Sequence, residues 1–241
     1  MTIIPIETVA STNRYLKESA RNRVLEEGTV IAARNQTEGK GQRGNAWESE
    51  AGKNITCSML LYPSFLPAQS CFLLSEAVAL GVKETLDVYV SGISLKWPND
   101  VYHLDRKIAG ILIENEFTGN RYHSSVVGIG VNINQERFLS NAPNPISLKQ
   151  ITGRDHDTEA LLKELARNIL RRYEQLKAGD TKSLTGMYQD ALYRKTGFHR
   201  FEDDEGIFIA RIDRVSDDGF LHLVTDGEKE RSYAFKTVRF L

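Results

Sequence analysis

Cysteine is scarce in this sequence of 241 residues, which contains Cys57 and Cys71 and no others. Two cysteines are too few for a disulfide framework, and their spacing does not match a metal site, so a reducing, cytoplasmic setting is expected. Neither sign of charge prevails, because 31 basic residues stand against 32 acidic ones and the formal net charge is −1. This balance gives no basis for non-specific attraction to nucleic acid or to an anionic membrane.

Long apolar stretches are missing as well. No run of the sequence reaches transmembrane length, and residues 1–8 have neither the basic nor the apolar region of a signal peptide. We therefore expect a soluble, unprocessed chain. The five histidines show no spacing typical of metal ligands, so we expect them at surface or strand positions rather than in a zinc site.

The composition is that of a folded protein, with 41% hydrophobic and 26% charged residues. Apolar residues at helical spacing predict an amphipathic helix that begins after Asp157 and ends before Gly179, followed by a shorter helix. From Lys195 onward, five short strands alternate with turns rich in Asp and Gly, which predicts a small β-barrel. The expected fold class is α+β, with one domain over residues 1–192 and a second over residues 193–241.

The first domain is expected to mix helices and strands. Helices are predicted over residues 12–21 and 68–86, and strands over residues 29–33, 55–62, 93–97, 101–104, 107–114 and 122–129. Hairpin turns are expected at residues 105–106 and 118–120. Residues 36–52 contain four glycines and no apolar periodicity, which predicts a long loop, and residues 141–145 are expected to be irregular.

The long loop carries the first segment with chemical meaning, since residues 36–47 read QTEGKGQRGNAW. Its closely spaced glycines free the backbone to approach a phosphate, while Lys40 and Arg43 supply positive charge. The glycine spacing matches the dinucleotide-binding fingerprint, but that motif needs a strand before it and a helix after it, and here a strand follows. On this segment alone, a mobile surface loop is an equally good interpretation.

Two further segments invite a functional reading. Residues 95–100 read LKWPND and force a turn off a strand, and seven residues after Asp100 comes Lys107 at the start of an apolar strand. Taken alone, such a lysine commonly extends its ammonium group to water. Residues 126–132 read VVGIGVN, where glycines interrupt a strand and indicate either a plain bulge or close approach of another group.

Together, these segments resemble the catalytic domain of biotin protein ligases over nearly the whole chain. The resemblance begins at Ser11-Thr12-Asn13 and continues through residues 39–47, 96–100, 106–111 and 128–132, and residues 193–241 look like the family's SH3-like barrel. It implies a mixed β-sheet of the biotin/lipoate ligase type, similar to class II aminoacyl-tRNA synthetases. It also implies ATP-dependent attachment of biotin to a lysine of a biotin carboxyl carrier domain through biotinyl-5′-AMP.

The resemblance assigns binding roles to three groups of residues. Those matching positions that hydrogen-bond the fused rings of biotin are Ser11, Thr12, Asn13 and Gln36. Those in the loop that folds over biotin and its adenylate include Gly39, Lys40, Gly41, Gln42 and Trp47. Those lining the pocket are Gly110, Gly128 and Gly130, and those lying towards the nucleotide are Asn99 and Asn132.

Three residues receive catalytic roles from the same resemblance. Lys107 matches the lysine that contacts the biotin carboxylate and then the phosphate of the intermediate. Asp100 is the expected acidic partner of the reacting amine, and Arg43 adds positive charge. An anionic nucleophile must meet an anionic phosphate, so Mg²⁺ is expected with ATP, although its ligands are not identified. Biotin, ATP and the carrier domain are the expected partners, and a homodimer is left open.

The chain departs from the family pattern in the loop and at its start. Lys40 and Gln42 stand where the family usually has arginines, and Asn45 occupies the last variable position. The sequence begins directly at Ile3-Ile-Pro-Ile-Glu7, without the winged helix-turn-helix of many relatives, so we expect no operator binding. The alternatives are a lipoate–protein ligase and, in another class, a repressor or SH3-like adaptor, which would need a basic reading helix or an aromatic peptide groove.

Overall fold

The computed structural model describes residues 1–119, 121–140 and 143–241, except for the side chains of Arg43 and Arg121. One sheet contains seven strands: β1 (Thr2–Val9), β2 (Thr29–Gln36), β3 (Ile55–Leu61), β4 (Ile93–Lys96), β5 (Asp100–His103), β6 (Arg106–Thr118) and β7 (Arg121–Val131). Their order is β1-β2-β3-β7-β6-β5-β4. β1 and β2 run parallel, and every other neighbouring pair is antiparallel.

The helices cover both faces of this sheet. They are α1 (Thr12–Asn22), α2 (Phe72–Asp87), α3 (Leu148–Thr152), α4 (Thr158–Lys177) and α5 (Thr181–Asp190). Side chains alternate between the two faces of a strand, and in β3 Met59 joins the large core under α2 and α4, whereas Leu60 packs with Leu16 of α1. None of the described helices is long and apolar enough to cross a membrane.

A second sheet follows the last helix. Its strands are β8 (His199–Asp203), β9 (Gly206–Val215), β10 (Leu221–Thr225), β11 (Glu230–Tyr233) and β12 (Arg239–Phe240), in the antiparallel order β11-β10-β9-β8-β12. Within residues 199–240, all of which are described, no ladder joins β11 to β12. The five predicted strands are confirmed, and they form one antiparallel sheet that is consistent with the expected SH3-like domain.

Specific contacts tie the second sheet to the first part of the chain. The indole Nε1 of Trp97 donates to the carbonyl of Gly219 at 2.9 Å, and the backbone N–H of Phe72 donates to the carbonyl of Asp217 at 3.1 Å. Phe235 packs edge-on against Trp97, with ring centroids 5.4 Å apart. The Trp-Pro-Asn-Asp segment is therefore held in place through contacts of Trp97 with the C-terminal part of the chain.

The predicted helices and strands are present, with bounds that shift by a few residues, and two elements were missed. β1 was missed because Pro5 interrupts its pattern. As an edge strand paired only with β2, it tolerates a residue without an N–H. α3 is too short for a periodic pattern, although Ser147 and Gln150 form a capping box at its start.

The predicted turns fit less well than the strands they join. The turn before β6 includes Leu104, with φ 51°, and Arg106 already belongs to the strand. Of the predicted turn 118–120, Asn120 lies outside the described residues. Of the predicted irregular segment, so do Asn141 and Ala142, whereas Pro145 forms a bridge to Lys107.

Candidate functional site

A cavity of about 530 Å³ lies between the central strands, α1 and the glycine-rich loop. This is the size of a pocket for a small organic ligand. It gathers most of the residues predicted for the site, which are Ser11, Thr12, Asn13, Gln36, Lys40, Gly41, Gln42, Trp47, Asn99, Asp100, Lys107, Gly110, Gly128, Gly130 and Asn132. Two predicted residues are not among them: Gly39, whose carbonyl accepts a hydrogen bond from the Trp47 N–H, and Arg43, whose side chain is outside the described residues.

The floor of the cavity is a network of uncharged side chains that is anchored at one end by the carboxylate of Glu114. The backbone N–H and Oγ1 of Thr12 both donate to Gln36 Oε1, at 2.8 and 3.0 Å. Ser58 Oγ lies 2.7 Å from Thr12 Oγ1 and 2.5 Å from Asn13 Oδ1, and Asn13 Nδ2 donates to Glu114 Oε2 at 2.8 Å. Since each side chain is held by the next, the floor presents fixed amide and hydroxyl groups.

Ser11 stands at the N-cap position of α1, as predicted, but its side chain makes no capping hydrogen bond. The residue is only 3% exposed, and it lines the cavity. Its hydroxyl is therefore not used as a cap and is available to a ligand.

Trp47 lies flat on the two central strands because those strands carry glycines there. Gly110 and Gly130 are cross-strand partners in β6 and β7. A Cβ atom at Gly130 would come within 2.2 Å of the Trp47 indole, and one at Gly110 within 2.9 Å. The indole Nε1 is buried without a partner among the described atoms. The glycines thus make room for the indole, which retains an unused donor in the cavity.

The same close approach occurs at Gly128, where a Cβ atom would lie 2.3 Å from Asn13 Oδ1. The glycines of residues 126–132 are therefore explained by two side chains packed on them rather than by a plain bulge. β7 runs without a register shift from Ser124 to Val131.

A charged pair lies beside the indole. Lys107 Nζ is 2.6 Å from Asp100 Oδ1, both side chains are 23% exposed, and the ammonium lies 5.6 Å from the centre of the Trp47 ring. The hairpin of β5 and β6 places the two side chains together, and the backbone of Lys107 is held by hydrogen bonds to Asn144 and Ile146. This arrangement agrees with the interpretation of Lys107 as a site residue rather than a solvent-exposed lysine.

The two asparagines predicted to lie towards the nucleotide have different structural duties. Asn99 Nδ2 donates to the carbonyl of Ile111 at 2.7 Å, so this amide fastens the Pro-Asn-Asp turn to β6. Asn132 Nδ2 donates to the carbonyl of Ile146 at 3.2 Å, while its Oδ1 is buried without a partner among the described atoms. Asn132 thus offers an acceptor to a ligand, and Asn99 mainly shapes the turn.

The glycine-rich loop folds back on itself at the mouth of the cavity. The Trp47 N–H donates to the Gly39 carbonyl at 2.9 Å, and the Gly41 N–H donates to the Asn45 carbonyl at 2.7 Å. A Cβ atom at Gly39 would lie 2.5 Å from the Trp47 carbonyl oxygen, so glycine is needed for this contact. The loop brings Lys40 and Gln42 to the cavity wall.

Glu48 is a lining residue that sequence reasoning missed. Its carboxylate accepts hydrogen bonds from the backbone N–H groups of Leu139 and Ser140, at 2.8 and 2.7 Å. Partial burial raises the pKa of Glu48, but hydrogen bonds from Ser140, Leu139 and Gln135 outweigh it and hold the pKa below its usual value. Glu48 thus connects the end of the glycine-rich loop to the segment at Leu139. The two residues are 91 positions apart in the chain, so no local pattern reveals their contact.

Other lining residues were also missed. Cys57 is buried in the wall, and burial raises the pKa of its thiol to about 12, so it remains neutral. Further lining residues that were not predicted include Pro98, Ile111, Leu112, Phe138, Ser140, Pro143, Pro145 and Lys236. Lys96 of the LKWPND segment does not line the cavity. Its ammonium donates to Tyr102 Oη at 3.0 Å, and burial lowers its pKa.

The charges of the site suit an anion. The described cations in the wall are Lys40, Lys107 and Lys236, against the carboxylates of Asp100 and Glu48. Among the described residues, no three His, Cys, Asp or Glu side chains are grouped as a metal site. The cavity can therefore hold a molecule with an uncharged polar end on the floor and an anionic group beside Lys107.

Comparisons with known proteins agree with this chemistry. The model of the biotin/lipoate A/B protein ligase family matches residues 6–132. The chain is 26% identical over 235 residues to the bifunctional ligase/repressor BirA of Bacillus spizizenii, covering 95% of this chain and 71% of that protein. It is 33% identical over 153 residues to the biotin–[acetyl-CoA-carboxylase] ligase of Paracoccus denitrificans, covering 61% and 63%. The solved structure of Aquifex aeolicus biotin protein ligase with biotin and ATP matches at TM-score 0.82 and 25% identity, covering 100% of this chain and 99% of that one.

Proposed function

Because the chain belongs to the biotin/lipoate A/B protein ligase family, we propose that it is a biotin–protein ligase that joins biotin to a lysine of a biotin carboxyl carrier domain. One observation carries the proposal. A single cavity combines a neutral polar floor, built by Thr12, Asn13 and Gln36, with the ammonium of Lys107. A fused ureido ring bearing a carboxylate chain has this same order of polar and anionic groups.

In the first step, the biotin carboxylate oxygen attacks the α-phosphorus of ATP, and the bond to pyrophosphate breaks. Both reactants are anions, so fixed positive charge lowers the barrier. Lys107 is suited to this role because its ammonium is a compact charge with rotatable donors, which can pass from carboxylate to phosphate. Asp100, 2.6 Å away, holds that ammonium in place before the ligands arrive.

Mg²⁺ belongs to the proposal as the ion that accompanies ATP. Proteins commonly hold it through one or two carboxylates together with substrate phosphates. The carboxylates that face the cavity are Asp100 and Glu48, and both are engaged by Lys107 and by backbone N–H groups, respectively. Such an ion would be held mainly by phosphate oxygens, with Asp100 and Glu48 as the nearby carboxylates, and it would supply positive charge to neutralise the leaving pyrophosphate.

In the second step, the neutral amine of the carrier lysine attacks the acyl carbon of biotinyl-AMP. The bond from that carbon to the AMP oxygen breaks, and a proton must leave the nitrogen. Asp100 is the carboxylate placed to orient this amine or accept its proton. Trp47 and most of the loop of residues 39–47 line the cavity. Closure of this loop over the adenylate would protect it from water.

The test is pyrophosphate exchange into ATP by the purified chain, measured with biotin and separately with lipoate. We expect exchange that depends on biotin. Exchange with lipoate alone would favour a lipoate–protein ligase and contradict the proposal. Transfer is then measured as labelling of a biotin carboxyl carrier domain, with a carrier in which the acceptor lysine is replaced by arginine as the control.

The remaining parts of the proposal concern location and partners. The two cysteines, Cys57 and Cys71, are both free, which suits a reducing compartment such as the cytoplasm. Freedom from nucleic-acid binding and the oligomeric state stay predictions. Sedimentation of the chain with and without duplex DNA, biotin and ATP measures both.

A further inference from the structure

The turn between β11 and β12 brings a lysine from the C-terminal sheet to the wall of the cavity. Lys236 lines the cavity, although it lies far along the chain from the other lining residues. The preceding residue, Phe235, packs against Trp97 and Phe72, with ring centroids 5.4 and 6.1 Å apart. This aromatic anchor holds the turn against Trp97, which is followed along the chain by the lining residues Pro98, Asn99 and Asp100. Asp100 is in turn paired with Lys107.

The backbone at Lys236 is in a conformation that favours glycine. The N–H of Thr237 donates to the carbonyl of Ala234 at 3.2 Å, which closes a four-residue turn with Lys236 in third position. Its φ is 68°, in the left-handed region, where a Cβ atom is crowded. A lysine held in an unfavourable conformation at a ligand cavity points to a functional use of its side chain.

The ammonium of Lys236 forms no ion pair with the described residues of the protein. Among the described residues, no carboxylate lies within ion-pair distance of its ammonium, whereas Lys107 is already paired with Asp100. The side chain is exposed, which suits a contact made when a soluble anion enters. The end of the cavity that holds Lys107 is also the end at which the phosphates of ATP must lie for the proposed reaction.

We propose that Lys236 binds the phosphate chain of ATP, and of the departing pyrophosphate, so that the C-terminal sheet completes the nucleotide site. This proposal rests on the proposed function, since it places the phosphates next to Lys107. It explains why a lysine occupies a position where glycine would relieve the backbone. It also predicts that stability and ATP affinity change in opposite directions when this one residue is replaced.

The experiment compares Lys236→Gly and Lys236→Arg with the wild-type chain. Lys236→Gly removes the charge and the strain together, so we expect a Tm higher by about 2–4 °C and a KM for ATP raised about fivefold. The KM for biotin should not change. Lys236→Arg keeps the charge and should keep the KM for ATP within about twofold, and the difference between Lys236→Gly and wild type should shrink as salt increases.

A matched control is available in the preceding turn of the same sheet, between β10 and β11. Glu228 also has a left-handed backbone, with φ 59°, and does not line the cavity. Glu228→Gly should raise the Tm as Lys236→Gly does and leave the KM for ATP unchanged. This separates relief of strain from loss of the phosphate contact.

An unchanged KM for ATP in Lys236→Gly would overturn the proposal. So would a raised KM for the carrier domain with ATP unaffected, because Lys236 would then belong to carrier docking. If the wild-type chain shows no biotin-dependent exchange at all, the proposed function fails. Calorimetric titration of ATP into the wild-type and Lys236→Gly proteins still decides whether Lys236 binds the nucleotide.

Discussion

Replacing Lys107 with methionine separates the catalytic charge of the site from its contribution to the fold. The side chain keeps its length but loses the ammonium that lies 2.6 Å from Asp100. Because both partners are about a quarter exposed, their pair should contribute at most about 1 kcal/mol to stability, which is a Tm change of roughly 2–4 °C. The transition state should lose about 2–4 kcal/mol, so adenylation should fall by roughly 30- to 1,000-fold.

The assay is pyrophosphate exchange at saturating biotin, with single-turnover formation of biotinyl-AMP as a second measure. Asp100→Asn is the matched control, because it breaks the same ion pair from the other side and leaves the ammonium in place. We expect Asp100→Asn to keep adenylation within a few-fold of wild type and to slow transfer to the carrier lysine.

Two results would refute this reasoning about Lys107. Near-normal exchange in Lys107→Met would show that another group supplies the charge. An equal loss of exchange in Asp100→Asn would show that the intact ion pair, rather than the ammonium, is what adenylation requires.

Three further predictions concern the loop and the core. Hydrogen exchange of residues 38–46 should slow when biotinyl-AMP binds, and equal protection with and without the ligand would contradict the idea of a closing loop. Gln42→Arg should release biotinyl-AMP several-fold more slowly than wild type in filter-binding experiments, since a charge-assisted hydrogen bond is roughly twice as strong as a neutral one. An unchanged off-rate would mean that a cation such as Arg43 already contacts the phosphate. Burial raises the pKa of Glu76 from its usual 4.5 to about 7, so the stability linked to its neutral form is present below pH 4.5 and lost as the pH rises towards 7. Glu76→Gln should therefore lose less Tm than wild type between pH 5 and pH 7.5 in calorimetry, and parallel losses would count against this.

Some features of this protein follow from local sequence alone. The apolar spacing from Leu162 to Leu176 determines one face of α4, and Asp157 caps that helix through hydrogen bonds to two backbone N–H groups. The turn residues after Lys195 separate five strands that are all present. These predictions succeed because helix periodicity, caps and tight turns depend on residues within a few positions of one another.

The site was recognisable from the sequence as three segments, and the cavity brings fifteen of the seventeen predicted residues together. What the sequence could not provide was the reason for each residue. Gly130 is required by the indole of Trp47, and Gly128 by the amide of Asn13. Each of these contacts joins residues that are more than 80 positions apart in the chain.

Tertiary structure alone decided how the ends of the chain complete the fold and the cavity. β1 is a strand because β2 pairs with it, despite Pro5. Glu48 reaches Leu139 and Ser140 because β3, which follows Glu48, pairs with β7, which precedes them. Lys236 reaches the cavity because Phe235 packs against Trp97. An ion pair, a buried amide or an exposed lysine has no signature in its neighbours along the chain, since its energy depends on what the fold places beside it.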